Sequence, residues 1–168
     1  MPKHYLNWKA MAARKQRSFI GTVPTNQFFG LRESVRLIEE EGLENVFARH
    51  HRIAEGVRRA VHAWGLNLCA AGPEVYSDTI SAIRTPEGVN ATQIVTHAAS
   101  KYGVAFGVGL GEVAGKVFRI GHLGMLTDVL ALSGIATAEM CMVDLGLDVK
   151  LGSGVAAAQD YYRNTTTA

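Results

Sequence analysis

Cysteine is nearly absent: Cys69 and Cys141 are the only two. They are too few and too far apart for a disulfide framework or a zinc site of the CxxC kind. Each lies among apolar neighbours and reads as a small buried hydrophobe, which fits a reducing, cytoplasmic setting. Acidic residues are missing from positions 1–32, where Lys3, Lys9, Arg14, Lys15, Arg17 and Arg32 stand unopposed. Such a bias can mimic an organelle-targeting peptide, but the serine richness of those peptides is lacking. A basic flank beside a phosphate or a partner surface is the expected cause. The net charge of +2 is too small for a polyelectrolyte partner, and no basic patch interleaved with aromatics suggests nucleic-acid binding. Long apolar runs are lacking as well: positions 129–147 are interrupted by Glu139 and Asp144, below the length a membrane span needs. Adjacent His50 and His51 point differently on any helix, so no metal motif is expected. No internal repeat or low-complexity tract is present.

What is present is one ordinary core's worth of apolar residues, 48% of the chain. The stretch 1–17 mixes Tyr5, Trp8 and Met11 with cations and can form a short helix. TVPTNQFFGLRES, 22–34, moves from a proline-punctuated turn into a helix reaching about 41, with Thr25 or Asn26 as candidate cap and Gly42 as stop. A second helix over about 43–64 carries Val46, Ile53, Val57 and Val61 at helical spacing, with Arg49, Arg52, Glu55 and Arg58 largely elsewhere; Gly65 ends it. The period then changes. Positions 66–70 and 79–84 read as strands, 91–102 as a helix capped by Asn90 and closed by Gly103, and 104–108 as a strand. GVGLGEVAG, 107–115, is a flexible connection into the strand of KVFRIGHLG, 116–124. A long amphipathic helix capped near Thr127 and a short helix after Ser153 complete the order. From about 43 onward this is an α+β layer, a small antiparallel sheet with helices on one face, preceded by an arm and helix (1–42) with no evident core. Such an arm needs a partner.

KVFRIGHLG raises the chemical question. Alternation groups Val117, Arg119 and Gly121 on one face and Phe118, Ile120 and His122 on the other. An arginine on a strand ordinarily lays its stem over apolar neighbours and faces water. Beside a glycine, however, its guanidinium fork suits a carboxylate or phosphate. His122, on the opposite face, is expected to pack. The glycines at 107, 109, 111 and 115 match neither phosphate-loop pattern, since a strand follows them, and Ser153 in GSG is not a nucleophile elbow.

KVFRIGHLG, GTVPTNQFFGLRES, EEEGLENVFARHHRIAEGVRRAV, WGLNLC and LGSGVAAA together resemble the C-terminal part of class V (fold type I) aminotransferases, most closely the serine-glyoxylate and alanine-glyoxylate group. The resemblance implies a small domain over 43–168 and an arm and linking helix from a large domain over 1–42. It implies pyridoxal 5'-phosphate as cofactor, a small amino acid and glyoxylate as substrates, and a homodimer formed through the arm. Arg119 matches the arginine that binds the substrate α-carboxylate, and Thr22 the threonine that reaches the cofactor phosphate of the other subunit. Phe19 stands where some relatives have a tyrosine as a further phosphate contact. No lysine here occupies the family's cofactor-bearing position, so no catalytic residue is assigned and the chain alone is expected to be inactive. This half cannot rank serine, alanine or aspartate as donor. The alternative is a non-catalytic α+β module that kept Arg119 for a small carboxylate, or the arm for assembly.

Overall fold

The computed structural model describes residues 4, 7–14 and 20–166, so Phe19, Lys3 and Lys15 lie outside the described residues. Two compact units divide at residue 43. In the first, α1 (Trp8–Ala12) is capped by the Asn7 side chain, which accepts from the Ala10 N–H at 3.1 Å. α2 (Thr25–Glu41) starts differently from expectation. Its N-cap is Pro24, and Thr25 and Asn26 are already helical; proline's fixed φ, here −76°, sets the chain up for a helix without a side-chain cap. Arg36 pairs with Glu33 and Glu40 along the exposed surface, an i,i+3/i,i+4 arrangement that supports a helix lacking a core. α2 buries none of its residues, and Phe28, Phe29, Leu31, Val35, Leu37 and Ile38 stay exposed.

The second unit opens with α3 (Leu43–Ala63), which buries Ile53, Ala54, Val57, Ala60 and Val61. β1 (Asn67–Leu68), β2 (Ile80–Arg84), β3 (Gly107–Val108) and β4 (Val117–Gly121) form an antiparallel sheet in the order β1-β2-β4-β3. β1 and β3 are shorter than the alternation suggested, as edge strands often are. α4 (Ala91–His97), capped by Asn90, passes into a π-helical turn over Ala98–Tyr102 before Gly103 closes it in the left-handed region. The sequence pattern treats the two as one helix. α5 (Asp128–Asp144) is capped by the Thr127 side chain, and α6 (Ser153–Asn164) ends the order. α5 is not amphipathic as expected: Ile135, Ala138 and Met142 are buried while Val129, Leu130 and Val143 are exposed, so it is apolar on several sides.

One face of the sheet, bearing Ile83, Phe118 and Ile120, joins Ile53, Val57, Ile94, Ile135 and Met142 in a single core. Two close approaches fix how α6 enters it. A side chain on Gly56 would overlap the Tyr162 ring, and one on Gly154 would overlap Trp64. Glu139, 1% exposed, then does what the sequence of α6 cannot. From α5 its Oε1 accepts from Gly154 N–H at 2.8 Å, Trp64 Nε1–H at 3.0 Å and the Ser153 hydroxyl at 3.3 Å. One orphan donor of α6's first turn, the Gly154 N–H, is thus satisfied from a neighbouring helix. Cys141 is buried, and burial, helped by the nearby Asp144 charge, pushes the thiol up to about 11; Cys69 is only half-buried, contrary to expectation. Among the described residues no helix is long and apolar enough to cross a membrane.

Candidate carboxylate site on the sheet

β4 is the inner strand that decides the site. Phe118, Ile120 and, just after it, His122 point into the core. Val117, Arg119 and Gly121 therefore take the other face. Across the sheet, Arg119 is in register with Ala82 on β2 and Gly107 on β3. Both neighbours are small, and the guanidinium lies over β3. A Cβ built on Gly107 would meet Arg119 Nε at 3.0 Å and its Cβ at 3.1 Å. The glycine that makes room is thus the cross-strand Gly107, not Gly121 in the same strand, whose own Cβ would meet only Leu123.

Arg119 is half-buried, and its Nε is buried with no hydrogen-bond partner among the described residues. A buried donor left unmade costs on the order of 1–3 kcal/mol, and Arg58 Nε is in the same state. The Gly107–Gly115 connection is more tightly built than a flexible loop. Gly111 and Gly115 take φ of 54° and 71° around a 3₁₀ turn, and a Cβ on Gly109 would run into the Val113 carbonyl. Gly107 and Gly109 permit close packing, and Gly111 and Gly115 supply positive φ.

His122 behaves as a packing residue, 1% exposed. Its Nε2 lies 2.9 Å from the Ser81 hydroxyl and its Nδ1 lies 3.1 Å from the Asp78 carbonyl. Burial lowers its pKa to about 4, with the nearby Arg58 charge acting in the same direction. The imidazole is therefore neutral near pH 7. Asp78 itself is partly desolvated, which raises its pKa, but hydrogen bonds from Arg58 and His51 outweigh that and hold it below the ordinary value. Arg58, expected on the polar side of α3, is in fact buried, with Asp78 and the Ser77 carbonyl accepting from it. No spacing rule links residues 58, 78, 81 and 122, and sequence reasoning missed the cluster.

A second polar cluster ties the π-helical turn to α5. Asp144 Oδ2 accepts from Tyr102 at 2.6 Å, Lys101 at 2.7 Å and His97 Nε2 at 2.8 Å. These donors, Lys101 foremost, hold the carboxyl well below the usual range. A cavity of about 510 Å³ lies elsewhere, between α3, the start of α5 and the end of α6, lined by Arg52, Asp128, Tyr162 and Thr165 among others. Its central cation is already engaged, since Arg52 donates to Asp128, Thr165 and the Tyr162 carbonyl. Thr22 is exposed, in the turn just before Pro24.

A helix-backed antiparallel sheet, with Arg119 set between the small cross-strand neighbours Ala82 and Gly107, defines the class: an α+β domain. No family model matches the chain, but individual relatives do. It is 62% identical over its full length to the L-aspartate–glyoxylate aminotransferase of Paracoccus denitrificans, covering 43% of that protein. It is 48% identical over 99% of its length to the serine–glyoxylate aminotransferase of Hyphomicrobium methylovorum, covering 42% of it. The structure of pyridoxamine–pyruvate aminotransferase from Mesorhizobium loti superposes with a TM-score of 0.80 at 34% identity, over 86% of this chain and 37% of that one. The chain belongs to the class V aminotransferases, corresponds to their C-terminal part, and spans about two-fifths of the length of the curated relatives it matches.

Proposed function

We propose that this chain supplies the carboxylate clamp and an arm of a pyridoxal phosphate-dependent aminotransferase that moves an amino group from serine, alanine or aspartate to glyoxylate. The observation that carries the reading is Arg119, half-buried on the sheet face away from the core and flanked in register by the small residues Ala82 and Gly107. Amino donor and glyoxylate both carry a carboxylate next to the reacting carbon. One arginine can therefore hold either substrate in turn, the fork fixing orientation as well as charge.

The residues present fit the periphery of the cofactor and not its attachment. Thr22 would offer a hydroxyl to the phosphate, across a homodimer interface formed by the arm, residues 1–42. The remainder, 43–168, would be the small domain. Lys9, Lys116 and Lys150 are exposed, and Lys101 is engaged by Asp144. None of these is placed as a buried, activated amine would be. When bound, the cofactor would supply the electron sink for amino transfer; none of the described lysines is placed to carry it, and no turnover is expected of this chain alone. The two cysteines are free thiols, in keeping with a cytoplasmic protein. Kinetics of Arg119→Lys in the complete enzyme test the reading: unchanged catalytic efficiency toward donor and glyoxylate would overturn it.

A further inference from the structure

Gly107 does more than tolerate the arginine. It is the cross-strand partner of Arg119 in the β3–β4 pair, and the guanidinium stem lies across the space where its side chain would be. A Cβ there would be 3.0 Å from Nε, 3.1 Å from the Arg119 Cβ and 3.5 Å from Cζ. The first two are tighter than ordinary van der Waals contact, so the arginine would have to yield by a few tenths of an ångström, and by more for a branched residue. Nε is buried in this arrangement. The two Nη groups are not among the buried unpartnered atoms, which leaves the end of the fork as the part open to a ligand. Ala82, in register on the other side, is too small to brace the guanidinium, and among the described residues no carboxylate pairs with it.

We infer that Gly107 is a positioning residue: the gap it leaves sets the pose of Arg119 and so the strength with which small carboxylates are held. The inference rests on the carboxylate reading of Arg119 and adds a residue through which that reading can be tuned. A misplaced clamp weakens binding of donor and acceptor together, because both meet the same fork. It changes turnover of the bound complex much less.

The test is steady-state kinetics on the complete, cofactor-loaded enzyme carrying this segment, with Gly107→Ala, Gly107→Val, Arg119→Ala and the double variant Gly107→Val/Arg119→Ala. Gly107→Val is expected to raise KM for donor and glyoxylate by about tenfold or more, the loss of roughly one charge-assisted hydrogen bond, with kcat within about twofold. Gly107→Ala should fall between it and wild type, and it carries the test alone if the valine variant fails to fold. In the Arg119→Ala background Gly107→Val should change nothing, since the group it displaces is gone. A merely structural glycine would lower activity equally in both backgrounds. That result, or wild-type KM for both glycine variants beside a raised KM for Arg119→Ala, would overturn the positioning role while leaving the clamp standing. Wild-type KM in Arg119→Ala would overturn both.

Discussion

Lowering the pH from 7 to 4 should cost this domain stability chiefly through one residue, His122. Its folded-state pKa is about 4 against an ordinary 6.5, because burial disfavours the charged ring and the Arg58 charge adds to that, together outweighing the hydrogen bond to the Asp78 carbonyl, which favours it. Between those two values the unfolded chain binds a proton that the folded chain refuses. Stability from this group is therefore complete above about pH 6.5, falls as pH drops through the window, and is exhausted near pH 4. At about 1.36 kcal/mol per pH unit the total is about 3 kcal/mol. The charged groups facing the ring are Arg58 and Asp78. Asp78 titrates below its ordinary value, so most of the window belongs to His122. The assay is urea denaturation at half-unit pH steps on wild type and on His122→Leu, which keeps an apolar side chain but cannot titrate. The difference between the two pH curves should approach about 3 kcal/mol by pH 4. Parallel curves would refute the assignment of a neutral, buried imidazole.

Removing the acceptor shared by α6 and Trp64 should be costly in a chemically specific way. Glu139→Leu strands the Gly154 N–H and the Trp64 indole N–H and should lose about 2–4 kcal/mol in urea melts, whereas Glu139→Gln, which keeps an oxygen, should lose about half as much or less; equal losses would mean that packing alone is at stake. In the complete enzyme, Thr22→Val should weaken retention of the cofactor through dialysis, followed by its absorbance, more than it weakens substrate binding. Unchanged retention would leave Thr22 as a turn residue.

The sequence made the strand bearing Arg119 legible because alternation between Val117 and His122 is unbroken and its apolar members are strand formers. Helix stops were legible for a similar local reason. Gly42, Gly65 and Gly103 all take positive φ at helix ends, a conformation glycine adopts without strain. The pairing of Gly107 with Arg119 was not legible, since it depends on the register of two strands joined by a folded connection. Nor was the role of Glu139. A lone acid in an apolar run looks like an interruption until α6 and Trp64 arrive beside it. Arg58 misled for the opposite reason, a cation assigned to water by its type and buried by its partners at 77 and 78. The π-helical turn after α4 leaves no compositional mark, while its tether, Asp144, lies on another helix.

The central claim is that Arg119 receives the substrate carboxylate through its two-pronged guanidinium. The direct measurement is kcat/KM of Arg119→Lys in the complete, cofactor-loaded enzyme, taken for an amino donor and for glyoxylate. Lysine keeps the charge and loses the fork, so a fall of more than about tenfold for both substrates is predicted, one charge-assisted hydrogen bond's worth. Wild-type efficiency for both would contradict the account.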